Sequence, residues 1–418
     1  MAHLGYTLVL WLALPWVLAR LWWRGRREPE YRLNIRERFG FYGARPSRNA
    51  ARKVLWLHAV SIGETNAAAP LVEALLERHP DYRIVVTQMT ATGRKSAREL
   101  FGGRAEIVYL PYDYGFAVRR FIASFQPGLG ILMETEIWFN LVRECKRAGI
   151  PLLLANARMS ARSARGYELV SGLSRRAFSR IDVVGAQTTE DAVRLRSLGA
   201  GRCEVTGNLK FDIVPAPATL AALLRARYGS RPVLLAASTR EGEEQLLLEA
   251  LAALPREVLV TVVPRHPQRF EEVMRLLEAR GKCVRRSDNR PIPPDCRFVL
   301  GDSMGELAGY YAASDLAFVG GSLLPYGGQN LIEASAVGVP VLIGPHTFNF
   351  SEVAEQAIAA GAALRVASAG ELVAQATHLL ADPARRARMG AAGRAFCESH
   401  RGATARTLAL CEQLISAR

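Results

Sequence analysis

The stretch His58-Ala-Val-Ser-Ile-Gly-Glu64 holds the residues whose types and spacing point most directly to chemistry. The β-branched and aromatic run 54–58 predicts a strand, and a helical pattern begins near Thr65. Ligands of α/β proteins bind at the carboxyl ends of strands, so a carboxylate at such a junction is well placed to act as a general base. The same residues also fit a simpler interpretation, a glycine turn in which Glu64 only complements the helix dipole.

This junction is the first of many alternations between strand-like runs and helical patterns. The first series of apolar runs comprises residues 54–58, 83–87, 106–110, 129–133, 151–155, 183–187 and 203–207, and the second comprises residues 232–238, 258–263, 296–300, 316–319 and 339–343. Such βα alternation predicts parallel sheets wrapped by helices, here as two doubly wound, Rossmann-like domains facing a cleft.

The predicted domain boundaries follow from composition. We expect an N-terminal membrane anchor at residues 1–27, a first Rossmann-like domain at 28–213, a Pro/Ala-rich linker at 214–231 and a second Rossmann-like domain with C-terminal helices at 232–418. The final helical pattern, residues 403–418, either closes the second domain or crosses back to the first.

The net charge of +15 is unevenly distributed, since residues 1–53 hold eleven Arg and Lys against three Glu. This basic cluster follows an apolar run, 4–19, and includes Arg20, Arg24 and Arg26 around the pair Trp22-Trp23. That order is typical of an uncleaved membrane anchor with a basic cytoplasmic flank, and we favour a spanning helix over one lying in the interface. A nucleic-acid binder is disfavoured, because the charge accompanies an apolar segment and no nucleic-acid motif is present.

The second half contains several candidate anion sites at predicted strand ends. The sharpest is Gly327-Gly-Gln-Asn-Leu-Ile-Glu333, where two glycines precede a helical pattern carrying Asn330 and Glu333. A nucleotide phosphate would meet the helix N-terminus and a ribose would meet the carboxylate, although Asn330 and Glu333 could equally form a capping pair. Arg265, set between prolines after a predicted strand, suits a phosphate, and a surface salt bridge is the alternative.

Taken together, these motifs resemble the 3-deoxy-D-manno-octulosonic acid (Kdo) transferases, which are membrane-associated glycosyltransferases of the GT-B fold. The resemblance covers nearly the whole chain. Besides His58 to Glu64, it rests on Met89-Thr-Ala-Thr-Gly93, Tyr109-Leu-Pro-Tyr-Asp113, Met133-Glu-Thr-Glu-Ile-Trp138, Asn156-Ala-Arg158, Gly207-Asn-Leu-Lys-Phe-Asp212, Pro264-Arg-His-Pro267, Met304-Gly-Glu306 and Gly344-Pro-His-Thr-Phe-Asn-Phe350.

The resemblance implies transfer of Kdo from CMP-Kdo to a lipid A precursor at the cytoplasmic face of the inner membrane, with the acceptor bound by the domain at 28–213 and CMP-Kdo by the domain at 232–418. It makes Glu64 the general base that deprotonates the acceptor's 6'-hydroxyl, and it assigns Glu134 and Lys210 to transition-state stabilisation. The implied contacts to CMP are Pro264, Arg265, Met304, Gly305, Glu306, Asn330, Leu331, Ile332 and Glu333. The chain departs from the family pattern at Gln329, Leu331, Phe139 and Arg240.

A single base without a second nucleophile favours direct displacement with inversion. We expect no cofactor and no metal, because the chain has no D-x-D motif, although Glu134 and Glu136 are a paired-carboxylate alternative. The scattered cysteines suggest neither a disulfide framework nor a zinc site.

A basic and aromatic segment in the first domain could face the membrane and the anionic acceptor, or could be an ordinary solvated surface. Its members are Arg32, Arg36, Arg38, Arg45 and Arg48, with Phe39, Phe41 and Tyr42.

Two other functions fit parts of the pattern. One is a GT-B transferase that uses a UDP-sugar on a lipid or cell-wall intermediate, and the other is a non-catalytic, membrane-anchored nucleotide-binding protein.

Overall fold

The computed structural model of the chain describes residues 2–27, 29–43, 53–213 and 218–417. It divides into two compact units: Met1–Ile213 with Arg401–Arg418, and Val214–His400. Part of the expected linker, residues 214–217, lies outside the described residues, and the chain is already helical at Ala218–Tyr228.

The first unit is built on a sheet that has seven parallel strands in the described part of the chain. The strands are β1 (Val54–His58), β2 (Arg83–Gln88), β3 (Ala105–Tyr109), β4 (Pro127–Met133), β5 (Leu152–Ala157), β6 (Val183–Ala186) and β7 (Cys203–Val205). Their spatial order is β3-β2-β1-β4-β5-β6-β7. The order reverses between β1 and β4, which is the point of a doubly wound sheet where a crevice opens for ligands.

The first unit begins with a long helix, α1 (Ala2–Arg27). Further helices cover both faces of the sheet: α2 (Ile62–Arg78), α3 (Ala91–Phe101), α4 (Gly115–Phe125), α5 (Phe139–Arg147), α6 (Ala161–Glu168), α7 (Ser171–Phe178) and α8 (Thr189–Ser197). Because successive strand residues point to opposite faces, Trp56 packs in one core layer with Phe121, while Leu55 and Leu57 pack in the other. Burial on both faces explains why the strands are continuous apolar runs.

The second unit repeats this plan with a sheet that also has seven parallel strands among the described residues. The strands are β8 (Val233–Thr239), β9 (Leu259–Pro264), β10 (Cys283–Arg285), β11 (Phe298–Leu300), β12 (Leu316–Val319), β13 (Val341–Ile343) and β14 (Ala363–Arg365). Their order is β10-β11-β9-β8-β12-β13-β14, so this sheet reverses between β8 and β12.

The helices of the second unit complete the Rossmann-like fold. They are α9 (Ala218–Tyr228), α10 (Glu243–Ala250), α11 (Phe270–Glu278), α12 (Leu307–Ala312), α13 (Ile332–Val337), α14 (Ser351–Ala359), α15 (Ala369–Ala381) and α16 (Pro383–Ser399). Sequence periodicity missed β10 and β14, because each is a three-residue edge strand with partly exposed side chains.

The last helix, α17 (Ala403–Ser416), belongs to the first unit, which corrects the expected second-domain boundary of 232–418. The Asp212 carboxylate accepts the backbone N–H of Gly402 at 2.8 Å, just before the helix begins. Leu410 and Cys411 then pack in the core layer that contains Leu55. The apolar face of α17 therefore packs on the first sheet, and the C-terminal helix lies in the same unit as the N-terminal part of the chain.

Helix α1 is long and apolar enough, between Gly5 and Arg26, to cross a membrane by length and composition. It is the one helix of this kind among the described residues. Of the basic segment expected to flank it, Arg45 and Arg48 lie outside the described residues.

Candidate active site

Glu64 lies in the first turn of α2, immediately beyond the carboxyl end of β1. Ser61 caps the helix, and its hydroxyl oxygen accepts the N–H of Glu64 at 3.4 Å. The carboxylate in turn accepts the backbone N–H of Val60 at 2.8 Å and the Ser61 hydroxyl at 2.9 Å. The local sequence thus forms a reciprocal cap, which fixes the position of the carboxylate at the sheet's switch point.

The surroundings of Glu64 favour its protonated form. Burial raises the pKa of this carboxyl from 4.5 to about 7, and the nearby charges of Glu134 and Glu136 act in the same direction. The hydrogen bonds from Val60 and Ser61 oppose this shift. A carboxylate with a pKa near 7 is matched to proton transfer at neutral pH, since it is both available as a base and strong enough to take a proton.

His58, the first residue of the same motif, has a structural position. It is fully buried, and its Nδ1 lies 2.9 Å from the Thr87 hydroxyl. Burial lowers its pKa to about 4, so the ring is neutral at pH 7. Its ring stands edge-on to Trp138, with the ring centroids 6.2 Å apart. His58 therefore supports the floor of the site through packing.

The structure brings Glu134 and Lys210 together, although they are 76 positions apart in the chain. The Lys210 Nζ lies 3.2 Å from the Glu134 Oε1, and both side chains retain some exposure. Glu134 follows β4 and adopts a φ of 55°, a left-handed conformation that non-glycine residues hold only when their surroundings enforce it. The ion pair thus stands at the same switch point as Glu64.

Two asparagines to which the family resemblance assigns no role hold the turn that carries Lys210. The Asn208 side chain accepts the backbone N–H of Lys210 at 3.0 Å. The Asn156 side chain accepts the N–H of Leu209 at 3.0 Å, and Asn156 itself has a φ of 53°. In the sequence both lie within motifs but have no assigned role, whereas in the structure their side chains hold the backbone of the turn that carries Lys210.

The paired carboxylates Glu134 and Glu136 are not arranged as a shared metal site. Glu136 accepts the indole N–H of Trp138 at 2.8 Å, whereas Glu134 faces Lys210. The described residues contain no group of three or more His, Cys, Asp and Glu side chains suited to hold a metal ion.

In the second unit, a basic cluster forms at the carboxyl edge of β8 and β9. Arg265 follows β9, and its backbone N–H donates to the Thr239 carbonyl at 3.0 Å. Burial lowers the pKa of Arg265, and the charge of the nearby Arg240 acts in the same direction. The pKa of His266 is also lowered, first by burial and then by Arg240 and Arg265. Concentrated positive charge at a sheet edge is suited to a phosphate. In the sequence, Arg240 stands out only as a departure from the family pattern, and its place in this cluster emerges from the structure.

Glu333 completes this cluster from the other side of the switch point. Burial raises the pKa of its carboxyl, while a hydrogen bond from Asn330 and the charge of Arg265 lower it. The Asn330 side chain also accepts the N–H of Ile332 at 3.1 Å, next to Leu331, the N-cap residue of the short helix α13. Asn330 and Glu333 thus form the side-chain pair of the capping alternative, and Glu333 also interacts with the charge of Arg265.

The Met304-Gly-Glu306 turn precedes α12. Gly305 has a φ of 80°, which favours glycine at this position, and the Met304 side chain is 53% exposed. Glu306 is held by Arg286 at 3.2 Å and by the Ser303 hydroxyl at 2.6 Å. Pro264 ends β9 one residue before Arg265, while Leu331 and Ile332 are buried at the start of α13.

Sequence reasoning missed the buried carboxylate that organises the glycine loop after β12. Glu243, the first residue of α10, is fully buried. Its oxygens accept the backbone N–H groups of Arg240, Gly321, Ser322 and Leu323, at 2.6 to 2.9 Å. The glycine loop lies nearly eighty residues after Glu243 in the chain, so the sequence does not reveal this interaction. The local signal that could have indicated it is the cap formed by Arg240 and Glu243, three positions apart.

The basic segment of the first unit is only partly a surface. Arg32 and Arg36 are exposed, but Arg38 is 1% exposed, donates to the Met89 carbonyl and stacks 4.0 Å from the Tyr109 ring. The expectation that Arg38 faces the membrane is therefore wrong, because its guanidinium is enclosed by aromatic rings.

Comparison with known proteins identifies the family. Residues 33–213 match the family model described as 3-deoxy-D-manno-octulosonic-acid transferase (kdotransferase), and residues 245–396 match glycosyl transferases group 1. A 3-deoxy-D-manno-octulosonic acid transferase of Bordetella pertussis is 46% identical over 96% of this chain and 97% of its own length. The chain belongs to the Kdo transferase family.

A second Kdo transferase, from Haemophilus influenzae, is 38% identical over 97% of both chains. Solved structures agree on the fold. Anabaena HepE in complex with UDP has a TM-score of 0.60 at 15% identity and covers 87% of this chain and 100% of its own. UDP-GlcNAc 2-epimerase from Neisseria meningitidis has a TM-score of 0.57 at 17% identity and covers 81% and 94%. This Kdo transferase thus has the expected GT-B fold, and family membership favours an enzyme over the non-catalytic alternative.

Proposed function

We propose that this Kdo transferase moves Kdo from CMP-Kdo to the 6'-hydroxyl of a tetraacylated lipid A precursor, with inversion at the anomeric carbon. The observation that carries the proposal is the carboxylate of Glu64, whose pKa is raised to about 7 at the first sheet's switch point, with Glu134 and Lys210 beside it. The Bordetella pertussis relative, a 3-deoxy-D-manno-octulosonic acid transferase, supports Kdo as the sugar that is transferred.

In the proposed reaction, Glu64 accepts the proton of the acceptor hydroxyl while that oxygen attacks the anomeric carbon of Kdo. The bond from this carbon to the phosphate oxygen of CMP breaks, and CMP leaves with the electron pair. Glu64 is the single carboxylate assigned to proton transfer and no side chain is assigned as a nucleophile, so the attack and departure occur on opposite faces and the configuration inverts.

Glu134 and Lys210 are suited to the charges that develop in this step. The anomeric carbon of a ketose becomes oxocarbenium-like as CMP departs, and negative charge grows on the phosphate. A carboxylate and an ammonium group held 3.2 Å apart offer both signs of charge without having to reorganise. We therefore assign them to transition-state stabilisation.

The second unit is the proposed site for CMP. Arg265 and Arg240 would bind the phosphate, and Glu333 would accept hydrogen bonds from ribose hydroxyls. The backbone around Gly305 would approach the nucleotide closely. Pro264, Met304, Glu306, Asn330, Leu331 and Ile332 complete the proposed set.

We further propose that α1 attaches the enzyme to the inner membrane, with both units on the cytoplasmic side. The long apolar helix and the arginines near its end support this location. The acceptor carries acyl chains and phosphates, so a membrane-attached enzyme with a basic first domain meets it where it resides.

The test is transfer of radiolabelled Kdo from CMP-Kdo, generated in situ, to the tetraacylated precursor, with products resolved by mass. We expect Glu64→Gln to lower transfer by a factor of about 10² to 10⁴ while CMP binding persists, and Arg265→Gln to weaken CMP binding. Glu77→Gln, on an exposed part of the same helix α2, and Arg256→Gln, exposed in the second unit, are the matched controls. Wild-type protein that binds CMP but transfers no Kdo would refute the proposal.

A further inference from the structure

Helix α1 has two distinct faces along its whole length. Its outer face exposes large apolar side chains, with exposed fractions between 43% and 73%: Leu8, Val9, Trp11, Leu12, Trp16, Leu18, Trp22 and Trp23. The opposite face, which runs through residues 3, 6, 10, 14, 17, 21 and 25, is half-buried or buried against the first unit. A single helix that crosses a bilayer on its own would be surrounded by lipid, so this asymmetry needs an explanation.

Polar contacts hold the beginning of the inner face. The Tyr6 hydroxyl donates to the Asp113 carboxylate at 2.8 Å, and the Tyr114 hydroxyl donates to the Leu10 carbonyl at 2.7 Å. His3 Nδ1 lies 3.1 Å from a guanidinium nitrogen of Arg143. Hydrogen bonds to a buried carboxylate are among the stronger contacts a surface helix can make.

Apolar and close backbone contacts hold the other end of the helix. Leu21 is 7% exposed and packs in a cluster with Tyr31 and Ala91. A Cβ atom at Gly25 would lie 2.4 Å from the Arg32 side chain, so the backbone there approaches the following segment closely. The anchored positions therefore run from residue 3 to residue 25, about 33 Å at 1.5 Å per residue. The helix is docked flat on the first unit rather than projecting from it.

A spanning arrangement is incompatible with these contacts. The Asp113 carboxylate that binds Tyr6 also accepts the backbone N–H groups of Asn140 and Leu141 and so belongs to the first unit's interior. If α1 crossed the bilayer while docked, Asp113 and Arg143 would be carried into the hydrocarbon, at a cost of several kcal/mol each. If α1 crossed the bilayer without docking, all the contacts between its inner face and the first unit would be lost.

The distribution of tryptophans gives an independent argument. In a span from Gly5 to Arg26, Trp11 and Trp16 would lie near the bilayer centre, whereas tryptophan concentrates at membrane interfaces. The Arg20 guanidinium lies 5.4 Å from the Trp16 ring and that of Arg26 lies 3.9 Å from the Trp22 ring. In the second half of the helix, guanidinium groups therefore lie beside the indole rings, as expected for a helix lying among lipid headgroups.

We propose that α1 lies in the plane of the membrane, with its outer face embedded at the boundary between headgroups and acyl chains, and does not cross the bilayer. This inference rests on the membrane attachment proposed above, and it replaces the spanning arrangement favoured from the sequence.

The docking position of α1 links this arrangement to catalysis. Three of the first unit's residues that contact it follow the carboxyl ends of successive strands: Ala91 follows β2, Tyr114 follows β3, and Phe139, whose ring lies 5.0 Å from that of Tyr6, follows β4. Glu64 follows β1 at the same edge of the sheet. An in-plane α1 thus places the membrane surface along the edge that carries the proposed base, so an acylated acceptor can present its headgroup while its chains stay in the bilayer.

The test measures depth along α1 in the full-length protein, bound to vesicles of phosphatidylethanolamine and phosphatidylglycerol. Nitroxide labels are attached in separate variants, Leu8→Cys, Leu12→Cys and Leu18→Cys, all on the outer face, and their depth is read from collisions with oxygen and a polar relaxation agent. An in-plane helix places all three at shallow depths that differ by no more than the helix radius with side chains, about 5–6 Å, since their positions around the helix differ. A span from Gly5 to Arg26 would instead place residues 12 and 18 within about 6 Å of the bilayer centre, and labels at that depth would overturn the proposal.

Two control samples show whether the labels report the outer face of α1. Val17→Cys, on the half-buried face, should give an immobilised label with no depth change on vesicle addition. The unsubstituted chain, whose cysteines are buried or half-buried, gives the labelling background. Labels that all remain in water would also overturn the proposal. Kdo transfer to acceptor dispersed in detergent tests the proposed reaction separately, because that assay does not depend on how α1 meets a bilayer.

Discussion

Replacing Glu64 by glutamine should remove activity and stabilise the protein, in a way that depends on pH. The glutamine side chain has the same shape and can still accept the Val60 N–H, so the cap of α2 persists. It cannot accept the acceptor's proton, and loss of a general base typically costs a factor of about 10² to 10⁴ in rate. We expect transfer by Glu64→Gln to fall by that factor and to lose its dependence on pH near neutrality.

The stability effect follows from the folded-state pKa of Glu64, about 7 against 4.5 for the unperturbed carboxyl. Below pH 4.5 this residue is protonated in both the folded and unfolded states, and the substitution changes little. As the pH rises from 4.5 to 7, the unfolded chain ionises first, so the wild-type protein progressively loses stability that the glutamine variant keeps. A shift of this size corresponds to about 3 kcal/mol at 1.36 kcal/mol per pH unit, and partial solvent contact reduces the expected gain to about 1–3 kcal/mol.

The assay pairs chemical denaturation of both proteins at pH 4.5 and pH 8 with transfer rates measured across the same range. Wild-type transfer should rise with pH and level off above the pKa of Glu64. A glutamine variant with the same unfolding free energy difference from wild type at both pH values would refute the assignment of a raised pKa. Retention of near wild-type transfer by this variant would refute the assignment of the base. Glu77→Gln on α2 should show neither effect.

The remaining predictions concern the ion pair, the buried carboxylate and the absence of metal. Lys210→Met should lower the transfer rate by a factor of about 10² to 10³. Combining it with Glu134→Gln should lower the rate by less than the two single effects together, because the two side chains form one pair. Additive effects on the activation free energy in a double-mutant cycle would contradict this. Glu243→Gln should lower the unfolding free energy by about 2–4 kcal/mol, since the amide cannot accept every N–H now bound, whereas exposed Glu249→Gln on the same helix should be neutral in the same denaturation experiment. Transfer should survive EDTA, and complete loss restored by Mg²⁺ would show that a metal is required.

Much of the architecture was predictable because the strands of a doubly wound sheet are buried on both faces and appear as continuous apolar runs. For this reason the predicted run 54–58 coincides with β1, and the predicted run 258–263 differs from β9 by one residue at each end. The short edge strands β10 and β14 were not predictable, because three residues with partly exposed side chains carry little periodic signal. The reciprocal cap of Glu64 was accessible from the sequence, since Ser61 and Glu64 are three positions apart.

The sequence by itself determined the buried strands, the points where these strands are followed by helices and the family that the motifs resemble, because these properties depend on neighbours within a few positions. Only the tertiary structure decided which distant residues meet. The order of the strands places Lys210 against Glu134, encloses Arg38 among aromatic rings and brings α17 back to the first sheet. It also decided that α1 lies along the carboxyl edge of that sheet, because hydropathy records how apolar a helix is but not which of its faces finds a partner.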